Sequence, residues 1–362
     1  MSFTLFPNLL VKWYRKNARD LPWRRTSDPY KIWISEIMLQ QTTVHAVIPY
    51  FDKWLKIFPS VDDLARADIQ KVLATWQGLG YYQRAKNLHK ASQMIVRDHA
   101  GKVPDNPLDA RKLPGFGPYT VGAVLSIAFD KRLPIIDANV RRVVMRLLAM
   151  EGRADIRHDK TILEFLDKVL PKKNVGDFNQ ALMELGALVC RSKEPLCILC
   201  PVRAMCQAYK EGKQEIIPTP VKRAIKDVYA VIGILKKGSY YFIQKRPSTG
   251  LLADLWEFPG GKIERKETPR AALARELKEE LGIGLNSAKY LFEVKHFYTQ
   301  FRVTLSVWQC EPKSYPAADK THRWVDFDAL HQYPMPSGSA KIVDKLIKLF
   351  RNPVVEEYII TP

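Results

Sequence analysis

Cysteine is scarce in this 362-residue sequence and unevenly placed: four of the five cysteines fall between Cys190 and Cys206. That distribution argues against a disulfide-stapled secreted scaffold, and in a reducing compartment such a cluster suggests metal. Acidic residues are also few relative to basic ones, 38 Asp and Glu against 57 Lys and Arg, for a formal net charge of +19. An excess that large points to a polyanionic partner, because phosphates neutralised by basic side chains release their counterions. Long apolar runs are missing; stretches such as Val121–Phe129 fall well short of a membrane span, so no membrane partner is expected. Met1 to Tyr14 shows neither a basic run before an apolar stretch nor a cleavage site, so no signal peptide is expected and the location read is cytoplasmic. No solenoid-type repeat is present.

What is there is enough for two folded cores: 46% of residues are hydrophobic and 26% charged. Residues 1–210 read as all-α. Apolar residues recur at three- and four-residue spacing in Ile32–Ile48, Ile69–Trp76, Val121–Phe129, Val140–Met150 and Phe178–Cys190. Breaks at Phe58-Pro59, Gly78 to Gly80 and Pro104 to Pro107 separate these stretches. Prolines and lysines then interrupt the periodicity, and 211–227 reads as a linker. Residues 228–350 carry strand-like runs at Val228–Leu235, Tyr240–Lys245 and Val303–Cys310 and one strong helix at Pro269–Leu281, an α+β pattern, with 351–362 as a tail.

Two short segments carry chemistry. Leu113-Pro-Gly-Phe-Gly-Pro-Tyr-Thr120 lies between helical stretches, where Gly115 and Gly117 permit conformations barred to other residues and leave their amides bare. Amides opening the next helix then form a phosphate site, although an ordinary helical corner fits the same residues. Asp137, in Leu133-Pro-Ile-Ile-Asp-Ala-Asn-Val-Arg-Arg142, is by local rules the N-cap of the helix that follows.

Together the hairpin, the Pro-x-x-Asp after it and the cysteine cluster resemble the helix–hairpin–helix glycosylases related to endonuclease III. Trp33-Ile-Ser-Glu-Ile-Met-Leu-Gln-Gln-Thr-Thr43 and Trp76-Gln-Gly-Leu-Gly-Tyr-Tyr82 look specifically like the MutY-type adenine DNA glycosylases, within a resemblance running from about Leu10 to Tyr209. The resemblance implies base-excision repair of duplex DNA, by hydrolysis of the N-glycosidic bond of adenine mispaired with 8-oxoguanine or guanine, near the nucleoid in a bacterium. Bifunctional members of the superfamily place a lysine directly after the hairpin, where its amine can form a Schiff base with the sugar. This chain has Tyr119 there, so a monofunctional glycosylase is expected.

Adenine removal needs a proton for the leaving base and a partner for an oxocarbenium-like sugar, and two carboxyl groups in different environments can supply both. The resemblance assigns Glu36 to protonate the base and later handle water, and Asp137 to stabilise, or briefly bond, the sugar cation. Ile32, Trp33, Ile34, Ile37 and Met38 suit a buried, proton-holding Glu36, while outside the family context that residue reads as solvated. Tyr119 and Asn139 are carried over as groups orienting the carboxylates and water, and Trp23 as a wall of the adenine pocket. The base must leave the stack first; Gln41 and Tyr81 are carried over as wedges. Tyr81 and Tyr82 also suit helix packing, with one of the pair buried.

Cys190, Cys197, Cys200 and Cys206 follow C-x6-C-x2-C-x5-C. By ligand type alone four thiolates can close a zinc site; the resemblance selects a [4Fe–4S] cluster, in a loop presenting Arg191, Lys193 and Arg203 to phosphates. Cys310, in a strand-like run, reads as core.

Residues 228–350 resemble a Nudix fold. Gly250-Leu-Leu-Ala-Asp-Leu-Trp-Glu-Phe-Pro259 is close to the stretch that precedes a degenerate Nudix box in MutY-type proteins. Here the box is complete: Gly261, Glu267, Arg275, Glu276, Glu279, Glu280 and Gly282 fit G-x5-E-x7-R-E-U-x-E-E-x-G-U, with Leu277 and Ile283 at its apolar positions. Glu276, Glu279 and Glu280 share one helix face and repel unless neutralised. Mg2+ is one answer, as in pyrophosphohydrolases acting on oxidised purine nucleoside triphosphates such as 8-oxo-dGTP; a solvated face paired with Lys278, Arg275 and Arg270 is the other. Where MutY-type domains offer Phe-Ser-His to the 8-oxoguanine, this chain has Tyr298-Thr299-Gln300.

Overall fold

The computed structural model describes residues 3–221, 224–298 and 300–351. They divide into two compact units, one from the described residues of 1–67 and 86–222, the other from those of 68–85 and 223–362. Residues 68–85, which the sequence groups with the N-terminal helices, thus belong to the second unit.

In chain order the first twelve helices are α1 (Phe6–Asn17), α2 (Pro29–Leu39), α3 (Val44–Ile57), α4 (Val61–Arg66), α5 (Ile69–Trp76), α6 (Gln83–Asp98), α7 (Pro107–Ala110), α8 (Pro118–Phe129), α9 (Ala138–Leu147), α10 (Asp159–Val169), α11 (Val175–Leu188) and α12 (Gln207–Lys210). Starts are set by side-chain caps: Asp28 accepts from the Tyr30 N–H, Ser60 from Asp63 and Asp68 from Gln70. The apolar run Ile32–Ile48 is two helices rather than one. Gln40 is extended and Gln41 takes φ +58°, which turns the chain between α2 and α3 although the periodicity continues across the turn.

Residues at helical spacing build the core of the first unit: Phe6 and Leu10 of α1, Val140, Val144 and Leu147 of α9, and Phe178, Leu182 and Leu185 of α11. Each such side chain contributes about 1.5–3 kcal/mol when fully buried. A Cβ on Gly186 would lie 2.5 Å from Asn139 Cβ, so glycine alone lets α11 press against the start of α9. The stretch read as a linker is partly packed. Ile217 is buried in this core, and Arg146 Nε donates to its carbonyl at 2.7 Å. No helix among the described residues is long and apolar enough to cross a membrane.

In the second unit β1 (Lys226–Lys237), β2 (Tyr240–Lys245), β3 (Trp256–Glu257), β4 (Gly260–Lys262), α13 (Pro269–Leu281), β5 (Leu285–Tyr298), β6 (Phe301–Pro312), β7 (His322–Asp326) and α14 (Ser337–Arg351) follow one another. The sheet runs β3-β2-β1-β6-β5, with β4 on β1 and β7 on β2; β1 and β6 are parallel, placing Ala230 beside Leu305 and Ile232 beside Val307. Strand β1 is buried on both faces. Val231 and Leu235 meet Leu273 and Leu277 of α13, while Ile232 and Ile234 join the cluster holding Ile342 and Leu346 of α14. That two-sided burial explains why its sequence is a continuous apolar run. Thr268 caps α13 and Gly282, at φ +67°, ends it.

Candidate active site

Helix α2 is apolar nearly all round, with every residue from Ile32 to Met38 buried, so the Glu36 carboxyl leaves α2 among apolar side chains. A hydrogen-bonding neighbour comes from the first turn of α8: the Tyr119 hydroxyl donates to Glu36 Oε2 at 2.6 Å. Burial pushes the Glu36 carboxyl up to about 7, against the Tyr119 bond and the Arg24 charge and with help from the charge of Asp137. Burial likewise drives the Tyr119 hydroxyl well above its ordinary range, which keeps it a donor.

Asp137 is the N-cap that local rules give. Its Oδ1 accepts the Val140 N–H at 2.6 Å and its Oδ2 accepts Asn139 Nδ2 at 2.9 Å. Asn139 in turn accepts from Arg142 Nη2 at 2.9 Å, and Arg142 also donates to the carbonyls of Gly186 at 2.7 Å and Cys190 at 2.8 Å. A line of hydrogen bonds therefore joins Asp137 to the start of the cysteine loop.

Glu36, Tyr119, Asp137 and Asn139 line one cavity of about 640 Å³, to which Trp23 and Gln41 also contribute. Trp23 is buried with its ring 5.4 Å from Phe51, and Gln41 is exposed. The same cavity holds a group that sequence reasoning missed. Glu184 is buried and accepts from Arg19 Nη2 at 2.7 Å and Arg24 Nη2 at 2.9 Å. Burial opposes its charge, yet the two guanidinium forks hold its carboxyl down to about 2. The acid stands 165 and 160 residues from these bases, so no local spacing announces the trio.

The other expected DNA contacts lie elsewhere. Gly115 has φ +84°, and a Cβ there would stand 3.2 Å from Asn87 Cβ, so the turn requires glycine. Gly117 is exposed, with an ordinary φ of −69° and nothing within 4 Å of a Cβ; what it offers is a bare amide before Pro118. Tyr81 is half-buried with φ +48° in the second unit, and Tyr82 is the buried member of the pair. Arg191, Lys193 and Arg203 are exposed; Arg191 donates to the Glu194 carbonyl and Arg203 lies 5.8 Å from the Tyr209 ring. Gln300 is exposed and its carbonyl accepts the Lys226 N–H at 2.8 Å. Thr299 and the side chain of Tyr298 lie outside the described residues.

Cys190, Cys197, Cys200 and Cys206 are free thiols, and Cys310 is buried core as its strand pattern implies. Arg146 is buried beside the four. Its Nη1 reaches Cys190 Sγ at 3.3 Å and the Arg191 carbonyl at 2.6 Å, and no carboxylate pairs with it among the described residues. A buried guanidinium facing a thiol suits an anionic group held there. Among the described residues no three His, Cys, Asp or Glu side chains form a group that could hold a metal ion, which applies to these cysteines and to the box glutamates alike. Four thiols next to a buried cation are the donor chemistry that an iron–sulfur cluster would take.

In the box Arg275 gathers Glu267, Glu276 and Glu279, each at 3.0 Å. Glu280 turns away from it, accepting from Gln244 Nε2 at 2.8 Å and the Gly260 N–H at 3.0 Å. Of the bases expected to pair with this face, Arg275 does so.

Compared with known proteins, residues 34–172 match the HhH-GPD superfamily of base excision DNA repair proteins and residues 230–345 match a NUDIX domain. The chain is 35% identical over 304 residues to the adenine DNA glycosylase of Buchnera aphidicola subsp. Acyrthosiphon pisum (strain APS), covering 83% of this chain and 85% of that one. It is 31% identical over 399 residues to the adenine DNA glycosylase of Mus musculus, covering 94% and 77%. Among solved structures, a thermostable thymine-DNA glycosylase, 30% identical, matches 57% of this chain and 96% of its own with a TM-score of 0.52.

Proposed function

The chain belongs to the adenine DNA glycosylase family, DNA-repair hydrolases of N-glycosyl bonds, and from that premise we propose that it removes adenine opposite 8-oxoguanine or guanine in duplex DNA. The observation that carries the reading is Glu36: a carboxyl buried among apolar side chains and pushed up to about 7, in the same cavity as Asp137. Glu36 gives its proton to a ring nitrogen of the extruded adenine as the bond from the sugar C1′ to the base breaks, the electron pair leaving with the base. Asp137 faces the cationic sugar that results. Water then adds to C1′ and its proton returns to Glu36. Tyr119 and Asn139 hold the two carboxyl groups in place, and Tyr119 offers no amine for a Schiff base, so strand cleavage is no part of the reaction.

Duplex DNA is gripped by the amides around Gly115 and Gly117 and by Arg191, Lys193 and Arg203. Gln41 and Tyr81 enter the stack and Trp23 walls the base pocket. Tyr298, Thr299 and Gln300 meet the opposing base. Cys190, Cys197, Cys200 and Cys206 hold a [4Fe–4S] cluster, which supplies a compact anionic cross-link to the loop. The experiment that tests this reading presents adenine opposite 8-oxoguanine, guanine, cytosine and thymine in four duplexes and measures base release. Preference for the first pair is expected; equal release from all four would overturn it.

A second reading concerns the other unit. Five carboxylates, Glu257, Glu267, Glu276, Glu279 and Glu280, bond to two guanidinium groups, Arg246 and Arg275, or to neutral donors. That excess of negative charge supports Mg2+ binding and hydrolysis of an oxidised purine nucleoside triphosphate.

A further inference from the structure

The loop Gly78-Leu-Gly-Tyr81 in the second unit is held in an unfavourable backbone state. φ is +104° at Gly78, +69° at Gly80 and +48° at Tyr81. The glycines accept the left-handed region freely, whereas a tyrosine there carries a steric cost that its surroundings must offset. Arg84 supplies part of the hold, donating from Nη2 to the carbonyls of Leu79 at 2.9 Å and Gly80 at 3.0 Å, with its guanidinium 5.6 Å from the Tyr81 ring. Trp76 Nε1 closes on the Gly80 carbonyl at 3.0 Å.

The residues flanking the loop converge on one point. Gln77 Oε1 accepts the Met335 N–H at 2.9 Å, and the Tyr82 hydroxyl donates to the Met335 carbonyl at 2.8 Å. Met335 carries the one N–H in Pro334-Met335-Pro336, and the prolines keep that tripeptide out of helix and strand ladder. Buried peptide groups in such a setting need side-chain partners, and the flanks of the loop supply both. Trp256 anchors the same tripeptide, its N–H donating to the Pro334 carbonyl at 2.8 Å and its Nε1 to Gln70 Oε1 of α5 at 3.0 Å.

We infer that Gln77 and Tyr82 are positioning residues for base extrusion: by gripping both main-chain groups of Met335 they mount the Tyr81 loop on the unit that carries strands β5 and β6. The inference rests on the reading of Tyr81 as the group that enters the stack. Gln77 and Tyr82 touch no DNA in this account and act through Tyr81. The aromatic that opens the duplex is thereby registered to the unit that reads the opposing base.

The test uses the full chain and a duplex carrying 2-aminopurine in place of adenine opposite 8-oxoguanine, whose fluorescence rises when the base leaves the stack. Tyr82→Phe and Gln77→Leu are expected to slow extrusion about tenfold each, while affinity for the undamaged duplex stays within about twofold. Gln77→Glu, which keeps an acceptor for the Met335 N–H, is expected to retain extrusion, a rescue that covers the case in which Tyr82→Phe does not fold. Excision from a duplex whose adenine is already unstacked by flanking mismatches is expected to proceed at the wild-type rate in all three. If Tyr81→Ala slows extrusion and the flanking variants do not, the inference is wrong while the wedge reading survives. If Tyr81→Ala leaves extrusion unchanged, the wedge reading fails and the inference falls with it. Loss of excision from the pre-opened duplex would show a general structural role and equally overturn it.

Discussion

The Tyr119 hydroxyl donates to Glu36 Oε2 across 2.6 Å, and Glu36 keeps its proton near neutrality in spite of that bond. A donor favours the charged carboxylate; burial in α2 outweighs it and brings the group to about 7. The acid is poised where it can both give and regain a proton at ordinary pH.

Adenine release in single turnover should therefore fall as pH rises through about 7, the limb following loss of one proton from Glu36. Tyr119→Phe removes the donor that lowers this pKa, so the limb should move to higher pH. Stability should follow the same group. Its carboxyl rises from 4.5 to about 7 on folding, so the wild type loses up to about 3 kcal/mol between those values. Glu36→Gln, inactive in release, should equal or exceed the wild type in urea unfolding above pH 7. A pH–rate profile flat through 7 would remove Glu36 from the acid role.

Asp137 caps α9 through Oδ1 and also faces the cavity, so its two contributions need separating. Asn is as good an N-cap as Asp, and Ala is worse by about 1 kcal/mol. Asp137→Asn should reduce adenine release by at least about a hundredfold with unchanged melting and DNA affinity. Asp137→Ala should lose release to the same extent and melt lower. Equal activity of the Asn variant and the wild type would leave only the cap.

Much of this was legible because the physics is local. Thr268 and Gly282 bracket α13, and the residues opening Asp137-Ala-Asn announce a helix start; both are short-range hydrogen bonds written in adjacent residues. Strand β5 was not legible, since as an edge strand, paired among the described residues to β6 alone, it mixes apolar and basic residues without clean alternation. The turn at Gln41 was hidden because apolar spacing carries across it. Glu184 with its arginines, and Met335 with Gln77 and Tyr82, join residues far apart in the chain, which no window of sequence can show.

Glu184 should act as both strut and charge setter. Its pKa is held down to about 2 from 4.5, so it contributes stability above 4.5 that is lost as pH falls towards 2. Glu184→Gln breaks a buried pair and should cost about 3–5 kcal/mol at pH 7 in urea unfolding, with the deficit narrowing in acid. The Arg24 charge, no longer neutralised, should also pull the Glu36 limb to lower pH.

The cysteine loop should carry iron. Visible absorption together with iron and sulfide assay is expected to show a [4Fe–4S] cluster, and zinc in its place would reverse that assignment. Chelating the iron should leave Arg146 buried beside an unligated Cys190 and loosen the hold of Arg142 on Asn139. DNA affinity and adenine release should then fall together, with no shift of the alkaline limb that belongs to Glu36.

The Nudix box should behave as a separate site. Burial pushes the carboxyls of Glu280 and Glu257 up from their ordinary value, each with help from a neighbouring carboxylate. A divalent cation requires those carboxylates deprotonated, and its binding should strengthen as pH rises through their raised pKa values. Millimolar Mg2+ should raise the melting temperature through mass action on the folded state, and the protein should then hydrolyse 8-oxo-dGTP to its monophosphate and pyrophosphate. Replacing Glu279 and Glu280 by Gln should abolish both effects. Adenine release should be nearly unchanged in that double variant, because its chemistry is assigned to Glu36 and Asp137 of the first unit. Protein that neither gains stability with Mg2+ nor turns over the triphosphate has carboxylates serving only the Arg275 and Gln244 bonds seen here.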